Sequence, residues 1–328
     1  MDISDFMVRS LANNTEEIEG LLRQNKYLSS EFEYDPVLPA LAPRENEVKR
    51  IFDLFKENGF CKVLTRRENI VGVLIADRSR FDSDLFGFGV GKIKHMSVSD
   101  GLFDEEALFA RRALVQECLS WMKQNRVECV VARVDPRERF VFEENDFRLA
   151  DVLLTFHLSE DLMESTQELS SSDIVIRPSC SEDETKLMDI ARKAFLNDHF
   201  HKDDNFPKKR SDDLFARWRY NCCHGRADVV LVANDHNKKP AGFVACKIEI
   251  AGKSKRGIID LIAVSPSYRR KGIGESLVRK AVQWFAGNDA QSVFVGTQAD
   301  NLAAVRTYEK NRFRLVRTRL TFHKWVNT

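Results

Sequence analysis

Apolar and polar positions along the chain recur with two different periods, and residues 257–285 show both. Gly257 to Val264 is a short apolar run rich in Ile, Leu and Val, which predicts a buried strand. Ser265-Pro266 interrupts this run. From Glu275 to Phe285 the apolar residues are spaced as on one face of an amphipathic helix. The stretch is therefore predicted to form a strand, a basic loop that contains two glycines, and a helix.

The same two periods predict helices and strands through the rest of the chain. In the first half we expect helices at 14–22, 45–58 and 105–124, irregular structure at 33–43, and strands at 61–65, 70–75, 90–96 and 127–134. In the second half we expect strands at 174–178, 229–233, 241–250, 291–298 and 316–325, helices at 181–195, 212–223 and 300–311, and a polar aromatic loop at 197–209. The segment 80–90 alternates phenylalanine with glycine beside two aspartates. It is predicted to be either a loop that plugs the core or one whose aromatic side chains line a pocket.

One sequence segment occurs twice. Phe142 to Leu158 and Tyr308 to Lys324 align without a gap, and about half of the aligned residues are identical, including the Leu-Thr-Phe-His ends. Each copy follows a predicted strand and a short helical run. The repeat indicates that the chain contains two copies of one α/β unit.

The repeat predicts a degenerate N-terminal domain at 1–160 and a complete C-terminal domain at 174–328. The polar, serine-rich residues 159–173 are expected to link them. The first copy has no counterpart of the glycine loop, and it has Phe142 where the second copy has Tyr308. We therefore expect only the second copy to bind a nucleotide.

The composition and charge of the chain limit which binding partners and which cellular compartment we expect. The chain of 328 residues has a formal net charge of +1, so we expect no broad electrostatic attraction to nucleic acid or to a membrane surface. No apolar run approaches the roughly 18 residues of a membrane span, and the N-terminal residues lack the apolar core of a signal peptide. The seven cysteines form no Cys-x-x-Cys pair, which is typical of reduced thiols. We therefore expect a cytoplasmic protein.

The loop between the predicted strand and helix has the chemistry of a phosphate site. Arg269, Gly272 and Gly274 form an Arg-x-x-Gly-x-Gly pattern, with Arg270 and Lys271 inside it. Glycines let backbone N–H groups turn toward a ligand, and a helix N-terminus adds the positive end of its dipole. The pattern of a Walker loop is absent, and a dinucleotide fingerprint would need a third glycine. The structural alternative is an ordinary basic surface turn.

This loop resembles the acyl-CoA motif of the GNAT N-acetyltransferases, and Asn301, Ala304 and Tyr308 resemble the Asn-x-x-Ala-x-x-x-Tyr motif of the same family. The resemblance implies a tandem GNAT fold, with mixed, mostly antiparallel sheets flanked by helices, and an enzyme that uses acetyl-CoA as co-substrate. Tyr308 is then the expected general acid, and a tyrosine that packs a helix is the alternative. The residues that the resemblance implies in acetyl-CoA binding are Leu261, Ile262, Ala263, Val264, Arg269, Arg270, Lys271, Gly272, Ile273, Gly274, Asn301, Ala304 and Tyr308.

The whole chain resembles the two-domain members of the family that acetylate sugar nucleotides. This resemblance implies direct transfer, in a ternary complex, to the amine of a nucleotide-linked 4-amino-4,6-dideoxy sugar for surface polysaccharide synthesis. It also implies that a carboxylate draws the amine proton through water, and Asp151 is the matching position, with a surface aspartate at a strand edge as the alternative. Candidates for sugar or base contacts are Phe86, Phe88, His199, His201 and Asn205. The His-x-His pair lacks an evident third ligand, so no metal is expected.

Other functions remain open. A GNAT enzyme can act on another primary amine, such as a peptide N-terminus, a polyamine or an antibiotic. A second alternative is a CoA-binding module without turnover, which the loss of Tyr308 or of the glycine loop would have favoured. The sequence leaves open which sugar and nucleotide are used, whether the chain forms a homodimer, and what residues 1–60 do.

Overall fold

A computed structural model describes residues 5–10, 15–24, 45, 48–49, 51, 53–54, 60–164, 174–195, 198–251 and 254–326. These residues form two compact units. The first unit contains the described residues up to Ala150 together with those from Arg319 onward, and the second contains those between Asp151 and Thr318. Each unit has a mixed sheet flanked by helices, as the sequence predicts.

Strands and helices alternate along the chain. The strands are β1 (Phe6–Ser10), β2 (Phe60–Arg66), β3 (Asn69–Arg78), β4 (Val90–Val98), β5 (Cys129–Val134), β6 (Arg148–Ser159), β7 (Val175–Pro178), β8 (Val229–Asn234), β9 (Pro240–Ala251), β10 (Ser254–Val264), β11 (Ser292–Gln298) and β12 (Arg314–Trp325). The α-helices are α1 (Thr15–Gln24), α2 (Arg80–Phe86), α3 (Asp104–Gln124), α4 (Arg139–Glu144), α5 (Glu160–Glu164), α6 (Glu184–Ala194), α7 (His199–Lys202), α8 (Lys208–Asn221), α9 (Ile273–Ala286) and α10 (Leu302–Lys310).

The first unit packs helices on both faces of its sheet. The strand order is β1-β2-β3-β4-β5-β12, and only β4 and β5 among these neighbours are parallel. Helix α3 buries Leu114, Cys118 and Met122 in the core on one face. On the other face, Ile18 of α1 and Ile51 form a smaller buried cluster. Ile51 belongs to the helix predicted at 45–58, whose Phe52, Phe55 and Gly59 lie outside the described residues, as does the irregular segment 33–43.

The second unit repeats the same plan. Its strand order is β7-β8-β9-β10-β11-β6, and the parallel pair is again the fourth and fifth strand, here β10 and β11. Helix α9 buries Leu277, Ala281 and Phe285 against this sheet. The 3.6-residue spacing of these apolar residues explains why the segment is a helix and why this face is inside.

The final strand of each sequence copy lies in the other unit. β6 pairs with β11, so Phe156 lies opposite Val295, and β12 pairs with β5, so Phe322 lies opposite Ala132. The compact units therefore divide the chain at other positions than the domains predicted at 1–160 and 174–328. Both strands carry the same Leu-Thr-Phe-His sequence.

Several local predictions differ from the structure. The segment predicted as a loop at 80–90 contains helix α2, which ends at Gly87 with a φ of 79°. Strand β1 was not predicted, and helix α7 lies inside the loop predicted at 197–209. The predicted linker 159–173 begins with helix α5, whose Met163 is buried; residues 165–173 lie outside the described residues.

Candidate active site

Strands β10 and β11 pair only over their first residues. The parallel pairs end at Ile259 and Val295, whereas the two strands continue to Val264 and Gln298. On its other side β10 stays paired with β9 as far as Val264. The backbone of Leu261–Val264 therefore has one edge directed at an opening between two diverging strands. N–H and C=O groups on such an edge can pair with the amides of an extended ligand.

The loop after β10 leads into the N-terminus of α9. Gly272 is the N-cap of this helix and has a φ of 76°, and no side chain caps the helix there. A Cβ built at Gly272 would meet no atom within 4 Å, and one at Gly274 would lie 3.7 Å from Val264. The N–H groups of the first turn of a helix have no partner within the helix. Gly272 and Gly274 thus leave room for a phosphate group beside these donors.

The side chains of the loop add positive charge. Arg269, Arg270 and Lys271 are all exposed. Arg269 donates to the backbone oxygen of Ala194 at 3.3 Å, and the Lys271 ammonium lies 5.3 Å from the ring centre of Tyr268. These contacts hold two of the three side chains near the loop without neutralising them, so all three charges remain available for a pyrophosphate.

The first unit has a similar opening but an opposite charge. Parallel pairing of β4 with β5 ends at Ile93 and Ala132, although β4 continues to Val98. The first turn of α3 then contains three carboxylates, and one of them, Glu106, accepts from the backbone nitrogen of Phe103 at 3.3 Å. Arg66 pairs with Glu106 at 2.7 Å, but the other two carboxylates, Asp104 and Glu105, are exposed, and a negatively charged helix start disfavours phosphate. The physical features that suit an anion at α9 are absent at α3.

Tyr308 lies inside the second unit. It is 2% exposed, and its ring centre lies 5.6 Å from that of Phe156 and 6.0 Å from that of Phe313. Burial raises the pKa of this phenol above its ordinary value. Tyr308 therefore carries its proton throughout the neutral range. Its burial is compatible with a role as proton donor and also with a packing role.

Asn301 caps helix α10, which carries Tyr308. Its Oδ1 accepts from the backbone nitrogen of Ala304 at 3.3 Å, and its Nδ2 donates to Thr297 Oγ1 at 3.1 Å. These bonds explain why an asparagine begins the helix. The expected contacts of Asn301 and Ala304 with a pantetheine arm stay a prediction.

Asp151 is a buried carboxylate. It is 3% exposed, and neither of its oxygens has a hydrogen-bond partner among the described residues. The next residue, Val152, accepts from the backbone nitrogen of Ala299 at 2.8 Å, so Asp151 lies beside the end of β11. The alternative of a surface aspartate is wrong. Because a buried carboxylate without partners is costly, this position favours a water molecule, a proton or a ligand next to it.

The expected sugar-contacting residues divide between the two units. Phe86 and Phe88 belong to the first unit, where Phe86 is buried and their ring centres are 5.9 Å apart. His199, His201 and Asn205 belong to the second unit. The two groups of residues therefore lie in different units. The contacts of Phe86 fit the alternative of core packing.

His201 has both ring nitrogens engaged. Nδ1 contacts the carboxylate of Asp198, and Nε2 lies 3.0 Å from Asp212 Oδ1. Burial opposes the charged imidazole, but the two carboxylates outweigh burial and raise the pKa of His201. Nearby, His199 is buried with its ring 3.9 Å from that of Phe200, whereas Asn205 is exposed and donates to Asp203. Contacts of these residues with a sugar stay predictions.

Sequence reasoning missed a polar cluster around Asp260. This residue lies where the pairing of β10 with β9 is irregular. Its carboxylate accepts from Trp218 Nε1 at 2.9 Å and from Arg226 Nε at 2.8 Å. The Cys222 thiol donates to the same oxygen at 3.4 Å. The signal that could have found it is a single aspartate inside the apolar run Ile-Ile-Asp-Leu-Ile-Ala-Val.

Two kinds of feature are absent from the described part of the chain. It contains no group of three or more His, Cys, Asp or Glu side chains arranged to hold a metal ion. None of its helices combines the length and the apolar character that crossing a membrane requires.

Known proteins resemble this chain over part of its length. Residues 186–313 match the model of the acetyltransferase (GNAT) family. The chain is 27% identical over 143 residues, 44% of its length, to the spore coat polysaccharide biosynthesis protein SpsD of Bacillus subtilis, of which the match covers 48%. It is 37% identical over 87 residues, 26% of its length, to N-alpha-acetyltransferase 30 of Xenopus laevis, of which the match covers 31%. The chain thus spans about half the length of the first relative and less of the second.

One solved structure resembles both units together. It is a tandem GNAT protein from the clavulanic acid biosynthesis pathway, with a TM-score of 0.62 at 12% identity over 98% of this chain and 99% of that one. At this identity the likeness concerns the fold alone. The expected tandem GNAT fold is confirmed.

Proposed function

Because residues 186–313 of this chain match the model of the acetyltransferase (GNAT) family, we propose that the protein transfers the acetyl group of acetyl-CoA to a primary amine. The observation that carries the proposal is the opening between β10 and β11, with the basic glycine loop at the end of β10 and Tyr308 in the same unit. Gly272 and the uncapped start of α9 fit the pyrophosphate, and the backbone edge of Leu261–Val264 fits the pantetheine amides. Bound acetyl-CoA supplies the thioester carbonyl that the amine attacks.

Proton transfer completes the proposed reaction. The amine nitrogen forms a bond to the carbonyl carbon, the carbon–sulfur bond breaks, and the sulfur leaves as a thiolate. Tyr308 donates its proton to that thiolate, a role for which a phenol that burial keeps protonated is suited. Asp151 accepts the proton that the amine loses, through a water molecule. A buried carboxylate without a partner among the described residues is suited to this role because its lone pairs are not already engaged.

For the acceptor we propose a nucleotide-linked 4-amino-4,6-dideoxy sugar used in surface polysaccharide synthesis. The name of SpsD supports a polysaccharide pathway. The second candidate acceptor is a peptide N-terminus, which the similarity to N-alpha-acetyltransferase 30 favours. The first acceptor carries a diphosphate and a rigid ring, whereas the second is an extended chain, so the two classes can be separated directly.

The test is thiol release from acetyl-CoA in the presence of each acceptor class. One set contains dTDP- and UDP-linked 4-amino-4,6-dideoxy sugars, and the other contains short peptides with unblocked N-termini. A product heavier by one acetyl group in the first set alone supports the sugar proposal, and one in the second set alone transfers the assignment to peptides. If no acceptor of either set reacts while acetyl-CoA still binds, as calorimetry would measure, both acceptor proposals are refuted, and another amine or a CoA-binding module takes their place.

A further inference from the structure

A cationic side chain is enclosed in the second unit without a carboxylate partner among the residues that the structure describes. Arg219 of α8 is 0% exposed, and its guanidinium carbon lies 5.1 Å from the ring centre of Phe243. Its Nε and Nη2 have no hydrogen-bond partner within the part of the chain that the structure describes. Its Nη1 lies 2.7 Å from the sulfur of Cys223. Arg219 is therefore directed at a cysteine that is itself partly exposed.

A buried guanidinium requires a counter-charge. Isolating a charge from water is strongly unfavourable unless an opposite charge or hydrogen bonds compensate it. The Cys223 sulfur provides part of this compensation, because it accepts from Arg219 and lies 3.8 Å from the Ser179 hydroxyl oxygen. We infer that the contact with Arg219 activates the Cys223 sulfur and makes it a site of modification by low-molecular-weight disulfides.

One effect opposes this inference. Cys223 follows the C-terminal end of α8, where the helix dipole disfavours an anion. That dipole amounts to roughly half an elementary charge and is exposed to solvent at the helix end. Arg219 brings a full charge into direct contact with the sulfur inside the protein, so its influence is the larger.

The neighbouring cysteine provides a contrast within the same turn. The thiol of Cys222 is buried and donates to Asp260, and burial together with Asp260 raises its pKa to about 12. Burial also raises the pKa of Cys61 to about 12. Cys180 is exposed, and its thiol donates to the carboxylate of Asp183 at 3.3 Å. Its sulfur also lies 3.9 Å from Nη1 of Arg177, but that guanidinium is paired with Asp183. Neither a carboxylate neighbour nor burial favours a thiolate, so Cys223 is expected to react first.

The chemistry of the modification is thiol–disulfide exchange. The Cys223 thiolate attacks one sulfur of the disulfide, a new sulfur–sulfur bond forms, the original one breaks, and the second sulfur leaves as a thiolate that takes a proton from water. No oxidant beyond the disulfide is needed. The site directly follows the helix whose Trp218 donates to Asp260, and Cys223 is next to Cys222, which also donates to that carboxylate at the irregular point of β10.

The test uses the native full chain and oxidised glutathione as the probe at neutral pH. Samples are quenched in acid at intervals, digested, and the glutathione on each cysteine peptide is quantified by mass spectrometry. We expect Cys223 to be modified at least about ten times faster than the more exposed Cys180. Cys223→Ser should abolish the fast phase, and Arg219→Met, with its folding checked by circular dichroism, should slow the reaction of Cys223 by about the same factor.

Two results would overturn the inference. The first is equal or slower modification of Cys223 relative to Cys180 in the native protein, which decides the matter even if Arg219→Met fails to fold. The second is an unchanged rate at Cys223 in a folded Arg219→Met variant. The readout is independent of acetyl transfer, so its failure leaves the proposed function untouched.

Discussion

Replacing Tyr308 by phenylalanine separates the proposed chemical role of this residue from its packing role. The substitution removes one hydroxyl and keeps the ring between Phe156 and Phe313. If Tyr308 protonates the departing thiolate, kcat should fall by about 10²- to 10⁴-fold, the usual contribution of a positioned general acid. The affinity for acetyl-CoA should change little, because the loop at Gly272 and the edge of β10 are untouched.

The first unit indicates that the substitution is structurally tolerated. Phe142 occupies the equivalent position there, with its ring centre 5.2 Å from that of Phe147 and 5.9 Å from that of Phe322. The same internal environment therefore already accommodates a phenylalanine. The free energy of unfolding of Tyr308→Phe at neutral pH should stay within about 1 kcal/mol of the wild-type value, since only one hydroxyl is removed.

The pH dependence gives a second, independent readout. Burial raises the pKa of Tyr308 in the folded state above the unfolded value of 10.0. The protonated phenol therefore stabilises the fold fully below pH 10, and this stabilisation is lost as the pH rises beyond that value. The wild type should lose stability above about pH 10 relative to Tyr308→Phe, and deprotonation of Tyr308 should not limit activity below that pH.

Steady-state rates of thiol release, with urea unfolding in parallel, measure both effects. The general-acid role is refuted if Tyr308→Phe retains wild-type kcat under conditions where chemistry limits the rate. A large loss of stability at neutral pH would instead assign the residue to packing.

Three further substitutions test other parts of the site. Asp151→Asn removes a buried carboxylate that has no partner among the described residues. We therefore expect a higher melting temperature and a roughly 10²-fold lower kcat/KM. A lower melting temperature would show that the carboxylate is stabilised. Gly272→Ala places a side chain at a φ of 76°, so we expect a loss of about 1 kcal/mol in stability and a raised KM for acetyl-CoA. The control variant Gly274→Ala, whose Cβ would be in ordinary contact, should keep the wild-type stability. Arg177 holds the pKa of Asp183 at about 2 instead of 3.8, so this pair contributes stability above pH 3.8 that is lost as the pH falls toward 2, about 2 kcal/mol in all. Urea unfolding between pH 2 and pH 6 should show that wild type exceeds Asp183→Asn by that amount at the upper end and that the difference vanishes at the lower end.

Local patterns predicted most of the strands and helices of both units, because the apolar spacing in each segment matches the face that it buries. Phe285 and Leu277 lie on the inner face of α9, as their spacing indicates. The glycine loop was likewise predicted from its residues alone, because a position that requires a positive φ favours glycine. The residue at which β10 and β11 stop pairing could not be predicted from the hydrophobic pattern, because apolar residues fill both the paired and the diverging parts of these strands.

The exchange of final strands could not have been predicted, for a physical reason. Phe156 in β6 packs near Tyr308, and Phe322 in β12 packs near Phe142. A phenylalanine meets an aromatic ring in both cases, and the residues around it are the same Leu-Thr and His. Within Leu-Thr-Phe-His no side chain tells either strand which sheet to join. The flanking residues do differ, with Asp151 and Leu153 in β6 where β12 has arginines.

The two units show that the backbone plan and the chemistry are separable. In both, the fourth and fifth strands part after a few parallel pairs, and the fourth strand has an extra residue where it meets the third, Lys94 in β4 and Asp260 in β10. The opening is thus a property of the fold and cannot by itself make a unit catalytic. What differs is the set of side chains around it: an acidic first turn at α3 against an uncapped one at α9, and Phe142 against Tyr308. Converting Phe142 to tyrosine should therefore confer no activity on the first unit, because the acidic helix start would still repel the pyrophosphate.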